Sequence, residues 1–127
     1  MTPASQTRSL YVEDDPILRR IISRALERAG MEVQTAADGH EGISIAEEWL
    51  PDLILLDLMM PVMDGFETAI AFRASANPYM RSMPILAYSA CSPESVARAL
   101  QAGANDFLPK ATPHAEIIAA IRRQLSI

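Results

Sequence analysis

The sequence predicts an α/β fold, a doubly wound five-stranded parallel sheet built as (βα)5. Three observations carry this expectation. Short apolar runs alternate with longer stretches of helical period along the chain. One run, Leu53-Ile54-Leu55-Leu56, is apolar on both faces, as a central parallel strand requires. Turn and cap residues such as Asp15-Pro16, Gly30, Asp38-Gly39, Asp64-Gly65, Ser92-Pro93 and Gly103 fall where one period gives way to the other.

Each element follows in order. Leu10-Tyr11-Val12 reads as the first buried strand. Ile17, Leu18, Ile21, Ile22, Ala25, Leu26 and Ala29 then recur at helical spacing, with Arg19, Arg20, Arg24, Glu27 and Arg28 mostly on the other face. Asp15 can cap this helix, Pro16 suits its first position and Gly30 stops it. Met31-Glu32-Val33-Gln34-Thr35 alternates apolar and polar, which predicts a half-exposed strand near a sheet edge. Asp38-Gly39 makes a turn, residues 41–49 read as helix, and Pro51-Asp52 breaks it. After the central strand come a loop over 57–64 and a helix over 66–74. Asn77-Pro78 and 82–84 bracket a further loop, and Ile85-Leu86-Ala87-Tyr88 is the fourth strand.

Ser92-Pro93-Glu94 opens the fourth helix, which Gly103 ends. Asp106-Phe107-Leu108 is the fifth strand. Thr112-Pro113 opens the fifth helix, where Ile117, Ile118, Ile121 and Leu125 share a face and Arg122 and Arg123 complement the helix dipole. With the alternating second strand at an edge, the expected order is 2-1-3-4-5, the flavodoxin-like arrangement.

At 127 residues the chain is expected to form one domain over 1–127, with 1–7 a flexible tail. Hydrophobic residues make up 50% and charged residues 21%, which excludes disorder. The net charge of -5 argues against direct nucleic-acid binding by this chain, because phosphates are neutralised by basic residues. The lone Cys91 allows no intrachain disulfide and suggests a reducing compartment. The N-terminal stretch is polar, and the longest aliphatic run is far short of the roughly 20 apolar residues a bilayer demands. A cytoplasmic location without membrane contact is expected.

Open α/β sheets bind ligands beyond the carboxyl ends of their strands. At those ends stand Glu13, Asp14 and Asp15, then Asp57, then Ser89 and Ala90, then Lys110. Crowded carboxylates must find a cation or take up protons. Oxygen ligands without His or thiolate suit Mg²⁺. An ammonium suits a phosphoryl group, and an aspartate can itself be the nucleophile that forms an aspartyl phosphate. The set matches phosphoryl transfer, where positioning and charge neutralisation do most of the catalysis. Taken singly, each residue has a plainer reading: Asp14 and Asp15 as helix caps, Asp57 as a turn residue, Lys110 as a solvated charge. Their convergence on one sheet edge is what the plain readings leave unexplained.

The chain resembles the receiver domain of two-component response regulators from about residue 10 to 125. The motifs are Val12-Glu13-Asp14-Asp15-Pro16, Asp52-Leu53-Ile54-Leu55-Leu56-Asp57, Met60-Pro61, Met63-Asp64-Gly65, Ser89-Ala90, Ala102-Gly103-Ala104 and Phe107-Leu108-Pro109-Lys110. The resemblance implies that Asp57 is the phosphoacceptor. It implies that Asp14, Asp57 and the Met59 main-chain carbonyl hold Mg²⁺, with Glu13 acting through water. It implies that Ser89 follows the phosphoryl group, that the small Ala90 leaves room for the donor, that Lys110 pairs with the aspartate and then the phosphate, and that Phe107 swings inward. Asp15 is left as a helix cap.

The expected function is phosphoryl acceptance from a sensor histidine kinase or a histidine phosphotransfer protein. The switch then acts on a downstream effector or output domain through the fourth and fifth helices and the fifth strand. Such a domain catalyses only its own phosphorylation and hydrolysis. One departure from the family pattern stands after the lysine, where Ala111 replaces the usual proline. A trans Lys110–Ala111 bond is expected, since cis costs roughly 3–4 kcal/mol without proline.

Other classes fit the residues less well, a flavodoxin-like cofactor protein least, because no Ser/Thr/Gly-rich phosphate loop follows the first strand. A binding module that ignores phosphorylation has no use for an intact Asp14, Asp57, Ser89 and Lys110. An aspartate-nucleophile phosphatase of the haloacid-dehalogenase kind carries an acid two residues after the nucleophile, where this chain has Met59. His40, His114 and Trp49 read as surface or packing residues, Cys91 as a structural thiol, and Met60 as an inward-facing neighbour of Met59 and Met63.

Overall fold

The computed structural model describes residues 7–90 and 92–127. Five parallel strands, β1 (Arg8–Val12), β2 (Glu32–Ala36), β3 (Leu53–Leu56), β4 (Ile85–Ser89) and β5 (Asp106–Pro109), form one sheet in the order 2-1-3-4-5, as expected. The helices are α1 (Pro16–Arg28), α2 (Gly39–Trp49), α3 (Gly65–Arg73), α4 (Pro78–Arg81), α5 (Pro93–Ala102) and α6 (His114–Leu125). The α4 turn corrects the loop expected there. Asn77 caps it, accepting from the Tyr79 N–H at 2.9 Å, and Pro78 takes its first position. Four residues are too few to show a helical period in sequence. The fourth and fifth helices of the sequence reading are therefore α5 and α6.

Strand parity divides the core into two layers. Leu10, Val12, Ile54 and Leu56 face one side with Phe66, Phe72 and Ala99. Tyr11, Leu53, Leu55, Leu86 and Tyr88 face the other with Ile22, Leu26, Ile117 and Ile121. Helices α1 and α6 thus cover one face, and α2, α3 and α5 the other. All four residues of β3 have zero exposure, so its continuous apolar run has the cause expected of it.

The caps explain why the helices begin where they do. Asp15 accepts from the Ile17 and Leu18 N–H groups at 2.9 and 3.3 Å. Asp38 accepts from Glu41, which moves the start of α2 forward to Gly39. Asp64 and Glu67 form a reciprocal capping box on α3. Pro113 precedes α6 as its cap residue rather than sitting within its first turn.

Two expectations about surfaces need correction. Ile17 and Ile21 are 70% and 47% exposed, because the inward face of α1 is narrower than its apolar stripe and is filled by Ile22 and Leu26. Thr7 does not belong to a tail, for it is buried and its carbonyl accepts the Glu32 N–H at 2.9 Å. Residues 1–6 of the expected tail, and Cys91, lie outside the described residues. Among the described residues no helix is long and apolar enough to cross a membrane.

Candidate functional site

Parallel strands deliver their carboxyl ends to one edge, and there the fold assembles the expected residues. Glu13 and Asp14 follow β1, Asp57 follows β3, Ser89 ends β4 and Lys110 follows β5. Carboxylate oxygens of Glu13, Asp14 and Asp57 lie within 4.8 Å of one another. Glu13 and Asp57 are buried at 1% and 3% exposure, while Asp14 is the open member. Asp15 stands outside this group as the cap of α1, as expected.

Asp57 Oδ1 accepts from the Ser89 hydroxyl and the Met59 N–H, each at 3.2 Å. Its other oxygen lies 3.8 Å from Lys110 Nζ. Lys110 itself rests on Glu13 Oε1, to which it donates directly. The expected lysine–aspartate pairing is thus realised as a looser contact, with Glu13 the primary partner. A long, flexible ammonium chooses among three carboxylates by local donors and burial, which spacing in sequence does not reveal.

Two tyrosines that the sequence reading left in the core belong to the site. Tyr11 donates its hydroxyl to Glu13 Oε1 at 3.0 Å. Tyr88 donates to the Lys110 carbonyl at 3.1 Å, and Lys110 Nζ lies 5.0 Å from the Tyr88 ring centroid. A signal was present for Tyr11: it lies two residues before Glu13, and strand residues i and i+2 share a face. Arg19, one turn into α1, donates to the Glu13 carbonyl at 2.7 Å and braces the acidic loop from the helix side.

Burial sets the electrostatics. It pushes the Asp57 carboxyl up, helped by the hydrogen bond and charge of Glu13, to about 7; the Lys110 charge and the Met59 N–H only partly oppose this. Burial acts on Glu13 too, but hydrogen bonds from Lys110 and Asp57, the Lys110 charge and the Asp15 N–H outweigh it and hold that carboxyl below its ordinary value. Burial, then the neighbouring Glu13, pushes the Tyr11 hydroxyl up, so it stays a donor.

The loop after Asp57 opens the site. Met60 packs inward, as expected, while Met59 and Val62 are 64% and 87% exposed. The Met63 N–H donates to the Pro61 carbonyl at 2.9 Å across Val62, whose φ of 70° is costly for a β-branched residue. The Lys110–Ala111 bond is trans, as expected, since the described residues contain no cis bond. The Lys110 N–H donates to the Ser89 carbonyl at 3.1 Å, and the Thr112 N–H turns back to the Pro109 carbonyl at 2.9 Å. Phe107 is half-buried beside Ala87 in the sheet ladder. His40 and His114 are exposed.

This constellation of three acids, a hydroxyl and an ammonium on one sheet edge can be set beside known proteins. The model of the response regulator receiver domain matches residues 10–122. The chain belongs to the response regulator receiver domain family. A transcriptional regulatory protein, PrrA of Mycobacterium leprae, is 38% identical over 125 residues, covering 98% of this chain and 52% of that protein. The chain therefore spans about half the length of the curated relatives it matches. The receiver domain of the sensor histidine kinase PA1611 from Pseudomonas aeruginosa has a TM-score of 0.87 at 33% identity, covering 96% of this chain and 99% of that one, and its structure has a magnesium ion coordinated in the active site cleft. The chemotaxis protein CheY4 of Vibrio cholerae has a TM-score of 0.86 at 34% identity, covering 93% of this chain and 98% of that one. A receiver domain is a signalling switch rather than a turnover enzyme, so the phosphatase alternative drops out.

Proposed function

We propose that this receiver domain takes a phosphoryl group onto the Asp57 carboxylate. The donor is a phosphohistidine of a sensor kinase or a histidine phosphotransfer protein. The carrying observation is the Asp57 environment: a buried carboxylate at a strand end, in contact with Ser89, with Lys110 alongside and two further acids beside it. An Asp57 oxygen attacks phosphorus, a P–O bond forms and the donor's P–N bond breaks. The imidazole leaves with the bonding electron pair and takes a proton from solvent. In hydrolysis a water oxygen bonds to phosphorus, the Asp57 O–P bond breaks with its electron pair going to the carboxylate, and the water's protons stay on inorganic phosphate or pass to solvent.

The acid set fits a hard divalent cation, because it offers oxygen ligands alone and its buried members repel one another. Asp14, Asp57 and the Met59 carbonyl would hold Mg²⁺, with Glu13 acting through water. When bound, Mg²⁺ supplies charge neutralisation for the phosphoryl oxygens. Ser89 is within reach of a group on Asp57. Its displacement would free space that Phe107 can enter, altering the surface of α5, β5 and α6 that meets an effector or output domain. On this reading residues 1–127 act as one receiver unit in the cytoplasm.

Incubation with Mg²⁺ and acetyl phosphate tests the proposal by mass spectrometry. The wild type should gain one phosphoryl group, and Asp57→Asn should gain none, because an amide is not a competent nucleophile. Equal labelling of the variant would overturn the assignment and direct attention to Asp14 and Asp15.

A further inference from the structure

Glu13 Oε1 carries two donors at once, the Lys110 ammonium and the Tyr11 hydroxyl. The opposite oxygen, Oε2, is held by the Asp15 N–H at 3.2 Å. Tyr11 has zero exposure and Glu13 1%, so bulk water does not reach this corner. If Lys110 is to serve a phosphoryl group on Asp57, it must let go of Glu13 and cross toward a carboxylate now 3.8 Å away. That departure strips one donor from a buried, charged oxygen. A buried carboxylate oxygen left without any donor is among the costlier defects a protein can hold.

We propose that Tyr11 is a positioning residue for Lys110, acting through Glu13. Its hydroxyl is a standby donor that keeps Glu13 Oε1 satisfied when Lys110 leaves. The inference rests on the phosphoacceptor reading above. Among the described residues, the side chains that donate to Oε1 are these two, so Tyr11 is the side-chain donor that remains after the exchange. The Glu13 carboxylate cannot simply swing after the lysine, because its other oxygen is tied to the Asp15 backbone.

Tyr88 complements Tyr11 from the lysine's side. Its hydroxyl holds the Lys110 carbonyl at 3.1 Å, and the Lys110 N–H is tied to the Ser89 carbonyl. The backbone of Lys110 is thereby fixed, which confines the exchange to the side chain. The two tyrosine rings lie 6.4 Å apart in the same core layer, a buried aromatic floor beneath the ammonium.

Tyr11→Phe removes the oxygen and keeps the ring, so packing is preserved. In the resting protein Lys110 still covers Oε1, and the variant should fold and melt close to wild type. Binding of beryllofluoride in saturating Mg²⁺, followed by calorimetry, should be weaker by about tenfold, because the exchange now leaves Oε1 without a side-chain donor. In a Glu13→Gln background the charge that retains Lys110 is gone, so adding Tyr11→Phe should change the affinity by less than about twofold. A purely structural role for Tyr11 would give the same loss in both backgrounds, and that result overturns the proposal. Unchanged affinity of Tyr11→Phe with a normal wild type also overturns it, leaving the phosphoacceptor reading intact. Failure of the wild type to bind beryllofluoride overturns that reading, and the role of Tyr11 with it.

Discussion

The Ser89 hydroxyl donates to Asp57 Oδ1 at 3.2 Å, linking the ends of β4 and β3 inside the buried part of the site. In the resting protein this hydroxyl is committed to the carboxylate. A phosphoryl group on Asp57 would offer it a new acceptor, and the movement would open room beside Phe107.

Ser89→Ala separates acceptance from switching. The nucleophile and the acids remain, and Oδ1 keeps its bond from the Met59 N–H. Phosphorylation of Asp57 by acetyl phosphate is expected to survive. The Phe107 ring signals in NMR should respond to beryllofluoride by less than half the wild-type change. A full response in the variant would remove Ser89 from the coupling.

The pH dependence of stability follows from Asp57. Its folded carboxyl titrates near 7, against about 3.9 in an unfolded chain. Between those values the folded state holds a proton that the unfolded state has lost. Stability in the presence of a chelator should therefore fall as pH rises from about 4 to about 7 and level off above. Glu13 works in the opposite sense: its lowered carboxyl contributes stability above about 4.3 that is lost on acidification. Mg²⁺ competes with the proton on Asp57, so its stabilisation should be larger at pH 8 than at pH 5.5. At one hundred times Kd the ion would contribute about 2.7 kcal/mol. Asp57→Asn should flatten the fall above pH 5. Thermal melts at the two pH values, with and without Mg²⁺, check each point.

Arg73 gives a prediction about the scaffold. Its guanidinium donates to the Arg81 and Met83 carbonyls at 2.8 Å each, twice to the Gly103 carbonyl, and to Asn105 Oδ1 at 3.0 Å. It joins α3, α4, the entry to β4 and the turn before β5. A lysine has one nitrogen and cannot span these acceptors. Arg73→Lys should cost about 2–4 kcal/mol, read from urea unfolding. Gly103→Ala attacks the same joint from the other side. Gly103 has φ of 120°, and an added Cβ would lie 2.5 Å from Arg73 Cγ.

Much of this was legible in the sequence, for reasons that differ from residue to residue. Leu53 to Leu56 announced a central strand because a strand covered on both sides tolerates no polar position. Asp15-Pro16 announced the start of α1 because cap chemistry is local. Asp57, Ser89 and Lys110 could be placed on one edge because parallel topology sends every strand end there. The α4 turn was not legible, since its four residues carry no period. The preference of Lys110 for Glu13 over Asp57 was hidden as well. It depends on where packing places the two buried carboxylates relative to the lysine, which spacing does not reveal. Ile17 and Ile21 looked like core because they share the stripe of Ile22, yet Ile22 and Leu26 already fill the inward face of α1.

Gly65 ties the stability of the fold to the placement of Asp57. It opens α3, and its N–H donates to the Leu58 carbonyl at 3.1 Å, closing the loop that leaves Asp57. A Cβ at this position would lie 2.3 Å from the Asp57 carbonyl oxygen and 2.6 Å from Leu58 Cα. Both are backbone atoms, so no side chain can rotate away to make room. Gly65→Ala must push the start of α3 away from the end of β3 or shift Asp57 itself. Overpacking of this kind typically costs about 1–3 kcal/mol, which urea unfolding should detect. The functional loss should exceed the stability loss in kind. At temperatures where the variant is still fully folded, the shift should separate Asp57 from Ser89 and disturb the Met59 backbone, whose N–H holds the same carboxylate. The expected result is a folded protein that accepts phosphate from acetyl phosphate at least about tenfold more slowly than wild type, since misplacement by about an ångström costs far more in rate than in stability. A wild-type phosphorylation rate in folded Gly65→Ala would show that the close approach of Gly65 to Asp57 serves packing alone.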